Sequence, residues 1–359
     1  MQILPAATQI KKMLERIKEW SASPWTTDNF PQFGLSTYNY HPDESGISYS
    51  SLRRPILTMR SNVISYPGVP GSGCRHFPAD SHLWYWLTAK GYEFDVITDD
   101  ELHRYGLAAI QRYSVAMTCS HPEYHTPRSM NALQEYTNTV GHLMYLGGDG
   151  FNWKVAVSDA WPDALEIRRG EKGIRAWASE PGEYYNAFDG EYGRLWRRNG
   201  KAPQVLAGVS FTSQGDHYGP PYRRTPESYS DEWAWVFEGI TEEIIGDFGL
   251  SGGGAAGFEL DRADTRLGTP LNAVILASSE GHDESFVLVP EDILTHHDTW
   301  PHKPIKELIR ADIVYFETAK GGGVFSVGSI TFCGSLPHNN CENNISNMVE
   351  NVIRKFLSN

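Results

Sequence analysis

The chain of 359 residues carries 44 Asp and Glu against 31 Lys and Arg, a formal net charge of −13, with 40% hydrophobic residues. An acidic surface repels phosphate backbones and anionic lipid, which argues against nucleic acid or a membrane as partner, and no apolar run reaches the ~20 residues a spanning helix needs. The 11 Trp, 18 Tyr and 15 Phe offer ample surface to bury and argue against disorder.

In chain order, Ile10, Met13, Leu14, Ile17 and Trp20 recur at helical spacing, with Lys11, Lys12, Glu15 and Lys18 on the opposite face. The spacing predicts an amphipathic helix over residues 6–20. A Pro- and Tyr-rich arm follows, so that residues 1–50 form a helix and arm, and residues 51–359 the main domain. There, 55–59 and 63–66 read as extended. A helix capped by Asp80 or Ser81 runs through residue 89. Strands at 92–98, 113–119 and 142–146 alternate with helices at 99–105 and 127–140. This β–α rhythm predicts a parallel, doubly wound α/β sheet, whose ligands bind beyond the carboxyl ends of the strands.

Past Phe151 the pattern turns to strands, at 154–157, 165–168, 205–211, 244–248, 273–278, 313–317 and 324–332, punctuated by the glycine clusters 252–254 and 321–323. An antiparallel β-rich extension is expected, with an insertion over about 152–270. A last helix, 344–357, presents Ile345, Met348, Val349, Val352, Ile353 and Phe356 on one face. Cys74, Cys119, Cys333 and Cys341 form no CxxC, which fits free thiols in a reducing cytoplasm.

Ionisable side chains gather at several strand ends. Ser120-His121-Pro122-Glu123-Tyr124 follows the apolar strand at 113–119, where such sheets keep their sites. It reads either as a site or as a polar turn shaped by proline. Glu180-Pro181-Gly182-Glu183-Tyr184-Tyr185 offers hard oxygen donors suited to ferric iron, or an acidic surface turn. His82 and Tyr85 lie three apart on one helix face. Gln214, Glu280 and Glu317 end further strands, where a buried carboxylate can act as general acid or base. HExxH, Walker and GxSxG signatures are absent.

Several of these segments resemble, together and in order, the C-terminal catalytic region of the N,N-dimethylformamidase large subunit family. They are Phe77-Pro78-Ala79-Asp80-Ser81-His82-Leu83, Tyr92 to Asp99, Ser120 to Tyr124, Tyr145 to Gly148, Glu180 to Tyr185, Gly252 to Asp264, Ala277 to His282 and Phe325 to Ile330. The resemblance implies a class I amidotransferase-like (flavodoxin-like) core. In such folds the turn 146–150 carries a nucleophile; here it holds neither Cys nor Ser, which disfavours covalent catalysis at that point. It also implies a mononuclear ferric iron held by two tyrosines and a glutamate. Tyr124 matches one tyrosine. Glu183, with Glu180 second, is the expected carboxylate, and Tyr85 or His82 the third ligand. The implied reaction is hydrolysis of small N-substituted amides such as N,N-dimethylformamide to formate and an amine. Glu317 or Glu280 would shuttle protons, and His121 or Gln214 would orient water or substrate. Family large subunits are about twice this length and pair with a small subunit; a self-associating cytoplasmic homologue is expected here. The alternatives are a metal-free binding protein on the same scaffold, or a hydrolase using another metal or nucleophile.

Overall fold

The computed structural model describes residues 32, 34–54, 56, 76–170, 177–215, 218–295 and 303–358. The helix expected at 6–20, the extended segments at 55–59 (residue 56 apart) and 63–66, Cys74 and the Asp216-His217 pair lie outside them. In chain order the elements are β1 (Tyr49–Ser51), α1 (His76–Ala89), α2 (Asp99–Tyr105), β2 (Val115–Met117), β3 (Tyr124–His125), α3 (Pro127–Thr137), β4 (His142–Tyr145), β5 (Trp153–Ser158), β6 (Trp161–Ile167), α4 (Pro203–Ala207) and β7 (Ser210–Gln214). There follow β8 (Tyr222–Arg224), β9 (Ile244–Ile245), β10 (Glu259–Arg262), β11 (Val274–Ser279), β12 (Val287–Leu288), α5 (Pro290–Thr295), α6 (Ile305–Leu308), β13 (Asp312–Glu317), β14 (Gly323–Ser326) and α7 (Asn344–Leu357).

A seven-stranded sheet in the order β2-β4-β14-β13-β11-β8-β9 forms the centre. Only β2, β4 and β14 run parallel; from β13 onward each neighbour is antiparallel. The reversal follows from connection length. Residues 318–322 close a tight turn, with Thr318 N–H donating to Gly322 C=O at 2.8 Å, and a turn that short joins only antiparallel strands.

Helices cover both faces, and the two-residue period of the strands sorts side chains between them. Met144, Ile313, Tyr315 and Phe325 enter one core with Leu83 and Trp86 of α1 and with Ile345, Met348, Val349, Val352, Ile353 and Phe356 of α7. Leu143, Tyr145, Val314, Phe316 and Val324 enter the other with Met130, Leu133 and Tyr136 of α3. Each fully buried aliphatic or aromatic side chain stabilises the fold by roughly 1.5–3 kcal/mol.

Two smaller sheets flank the centre, β1-β6-β5-β3 and β10-β7-β12. Because β1 pairs with β6, the end of the arm and the β-rich segment share one sheet.

Five local expectations differ. Residues 92–98 enter no sheet, and Glu93 to Val96 are exposed. Residues 203–207 form a helix, started by Pro203 and stopped at Gly208 (φ +76°), a proline-first, glycine-last pairing characteristic of helices. The strand read at 324–332 ends at Ser326, and that at 244–248 spans only Ile244–Ile245. Asp80 caps nothing: α1 begins earlier, and the Asp80 carboxylate accepts from Ser120 N–H (3.0 Å) and Oγ–H (2.7 Å).

Candidate functional site

The three sheets bring polar strand ends to one place. His121 and Glu123 lie between β2 and β3, Asp149 follows β4, and Glu259 opens β10. Glycine allows the approach. A Cβ on Gly147 would stand 2.4 Å from the Ser120 carbonyl oxygen, and one on Gly148 would stand 2.8 Å from that of Glu259. Gly148 N–H also donates to Ser120 C=O at 3.1 Å. Backbone strain gathers here, with Asp149, Phe151 and Phe258 at φ +50°, +58° and +63°, conformations that non-glycine residues adopt only when their surroundings enforce them.

His121 stands between carboxylates. Its Nε2 is 2.8 Å from Glu123 Oε2 and its Nδ1 3.3 Å from Glu259 Oε2, with His121 and Glu123 each 6% exposed and Glu259 1%. Donor atoms of His121, Glu123 and Asp149 all lie within 4.8 Å of one another, a grouping able to hold a metal ion. Beneath it Asp261 accepts from Asp149 N–H (2.8 Å) and from Tyr145 Oη–H (2.7 Å). Burial outweighs those bonds and pushes the Asp261 carboxyl up to about 7.

Beside Glu123, Tyr124 opens the short strand β3, held by its pairing to Trp153 of β5. Its hydroxyl meets that of Tyr38, from the arm, at 2.5 Å. Burial first, then the Glu123 charge, raises the Tyr124 phenol well above its usual range, and the same two causes raise Tyr38, with Asp149 adding to them. Arg169, 4% exposed, opposes that field at both phenols.

Of the residues expected from sequence, His121 and Tyr124 sit in this site. Gln214 is close by, since β7 pairs Gln214 directly opposite Glu259 and opposed residues share a sheet face. The others sit elsewhere. Tyr85 is 55% exposed on α1, and His82, three residues earlier, is buried, its imidazole held down at about 4 by burial. Glu180 and Glu183 are exposed on a turn closed by the Glu183 N–H to Glu180 C=O bond (2.9 Å), so the acid beside Tyr124 is its chain neighbour Glu123. Glu280 is exposed and bound to the Arg223 guanidinium, which keeps its carboxyl below the usual range. Glu317 ends β13, opposite Gly323 where β14 begins, and therefore at the far end of the sheet from His121.

Sequence reasoning passed over Tyr38, Asp149, Glu259, Asp261 and Arg169. One signal was present: the carboxylates Glu259 and Asp261 alternate with Phe258 and Leu260 straight after a glycine-rich stretch. Tyr38 gave none beyond a tyrosine-rich arm.

A family profile described as N,N-dimethylformamidase beta subunit-like, C-terminal, matches residues 20–343. The chain belongs to this family. Its relatives include the N,N-dimethylformamidase beta subunits of Paracoccus aminophilus and of an Alcaligenes species, each 40% identical over 334 residues, which is 92% of this chain and 42% of theirs. The chain thus spans about two fifths of the length of the curated relatives it matches. Among solved structures, the mmIFT52 N-terminal domain superposes with a TM-score of 0.33 at 11% identity, covering 78% of this chain and 90% of that one; so loose a likeness carries no fold assignment. Among the described residues no helix is long and apolar enough to cross a membrane.

Proposed function

We propose that this chain hydrolyses the C–N bond of small N-substituted amides, N,N-dimethylformamide or a relative, to formate and an amine, on an amidotransferase-like core with a mononuclear ferric iron. The 40% identity to dimethylformamidase beta subunits supports the reaction class. The observation that carries the metal is the contact of the Tyr38 and Tyr124 hydroxyls beside Glu123. Two phenols and a carboxylate are hard oxygen donors. The negative field of Glu123 at both phenols, which raises them, is what a cation at that point would relieve. Tyr38, Tyr124 and Glu123 would hold the ion, with Asp149 within reach.

Ferric iron, when bound, supplies a Lewis acid for an amide carbonyl and its attacking water. The chain's own residues do the rest. His121 holds a proton between Nε2 and Glu123 Oε2, where a leaving amine can collect it. The Gly148 carbonyl at Nδ1 (3.2 Å) fixes the ring, with the Glu259 carboxylate alongside. Gln214, on the face of Glu259, offers an amide to orient water or substrate. Burial of these groups limits bulk water and strengthens each electrostatic contact. The relatives' designation as beta subunits supports a partner subunit or a second copy in the working assembly.

The test is elemental analysis of the purified chain, with formate and amine release measured with and without a chelator. The expected outcome is about one iron per chain, a visible phenolate-to-iron absorption band, and turnover lost to chelator and restored by iron. A chain that takes up no iron and cleaves no small amide, alone or with a partner subunit, would sink the proposal.

A further inference from the structure

The phenol pair is assembled from distant segments. Tyr124 is fixed by β3, but Tyr38 arrives on the arm, 86 residues earlier. The arm backbone is anchored where Trp177 Nε1–H donates to Thr37 C=O (2.9 Å), one residue before Tyr38. What grips the ring is Arg169, just past β6. Its guanidinium carbon stands 4.4 Å from the Tyr38 ring centroid, 5.1 Å from that of Trp153 and 6.0 Å from that of Tyr124. One of its terminal nitrogens donates to Tyr124 Oη at 3.5 Å.

The cation is buried among rings; among the described residues no carboxylate lies within ion-pair distance of it, and the Glu123 charge reaches it only from further off. Burying a charge without an opposite partner is costly. The rings of Tyr38, Trp153 and Tyr124 around the guanidinium offset part of that cost.

We propose that Arg169 is a positioning residue: it clamps Tyr38 of the arm onto Tyr124, so that the two oxygens present themselves as one ligating pair. The proposal rests on the phenol-and-iron reading above, and it adds a requirement that reading does not make.

The test compares wild type with Arg169→Met, which keeps length but loses charge and fork, and with Arg169→Lys, which keeps charge but loses the flat stacking surface. Each is checked for cooperative melting, then for iron affinity by chelator competition, for the position of the phenolate-to-iron band, and, without metal, for chymotrypsin cleavage after Tyr38 and Tyr40. For Arg169→Met the expected results are a loss of iron affinity of about tenfold or more, in the range seen when groups supporting metal ligands are removed, a band at longer wavelength because the phenolate oxygen has lost a donor, and faster cleavage of the arm. Arg169→Lys should fall between the two. Wild-type affinity, band and cleavage in Arg169→Met overturn the proposal. If that variant does not fold, wild-type values in Arg169→Lys overturn it. If wild type itself takes up no iron, the metal reading fails, and the cleavage comparison still decides whether Arg169 clamps the arm: faster cleavage upholds the clamp and unchanged cleavage removes it.

Discussion

The two ends of the central sheet carry the same residue types and treat them differently. At the end where β2 and β4 finish, His121 is held between Glu123 and Glu259, with Asp261 beneath. At the other end, His142 stacks on Phe356 with ring centroids 4.3 Å apart and accepts Gly323 N–H at Nδ1, while Glu317 faces solvent. One end packs acids against a histidine in a buried loop cluster; the other places a histidine against a helix and leaves its acid to water. A carboxylate or imidazole becomes chemically useful when several are desolvated together, and only the first end does that.

The sharpest way to break this comparison is to remove one group from each end. His121→Ala is expected to cut amide turnover by about 10³-fold, within the usual range for a proton-transferring side chain, whereas Glu317→Gln stays within about twofold of wild type. Formate release measures both, and equal losses would erase the distinction between the ends. Next, Tyr38→Phe and Tyr124→Phe should each weaken iron binding by at least about tenfold and dim the phenolate band, while Glu183→Gln leaves both unchanged. Loss of iron from Glu183→Gln alone would restore the ligand set expected from sequence.

Stability against pH sharpens the contrast. The Asp261 carboxyl is raised in the fold, so its protonated form is favoured there. Its contribution is complete in acid and is lost as pH rises through about 7. Urea unfolding at pH 5.5 and 8.5 should show wild type losing about 2 kcal/mol through this group and Asp261→Asn losing less. His82 runs the other way. Its imidazole is depressed to about 4 in the fold, so stability falls as pH drops below the ordinary histidine range and levels off below about 4. The loss from this residue should be about 2 kcal/mol between pH 6.5 and 4.5, and His82→Gln should flatten that limb. His282, also lowered to about 4, leaves a residual slope. The smallest effect belongs to Glu280→Gln, whose exposed pairing with Arg223 is screened by solvent; turnover should stay within about twofold.

Elements whose pattern is local were legible from residues alone. The apolar face of α7 is buried as its spacing requires, and Thr126-Pro127 starts α3 through a capping box with Ser129. The loop at 120–124 was legible as a site because a polar, ionisable run directly after an apolar strand is a one-dimensional signal. Tyr85, Glu183 and Glu317 came from the same kind of signal, yet the fold sets them apart from His121: spacing along the chain names residue types without saying which ends of which strands meet.

The order of residues by itself therefore determined the longer helices, most strands, the family and the candidacy of His121 and Tyr124, because periodicity, caps and turns act over a few neighbours. Only the tertiary structure decided that Tyr38 would meet Tyr124, that Glu259 and Asp149 would close on His121, and that Glu317 would point away. Those contacts depend on strand direction and on close approaches at Gly147 and Gly148. Both are set by how the sheets pack, across separations of up to about 140 residues between His121 and Glu259, and no local pattern encodes them.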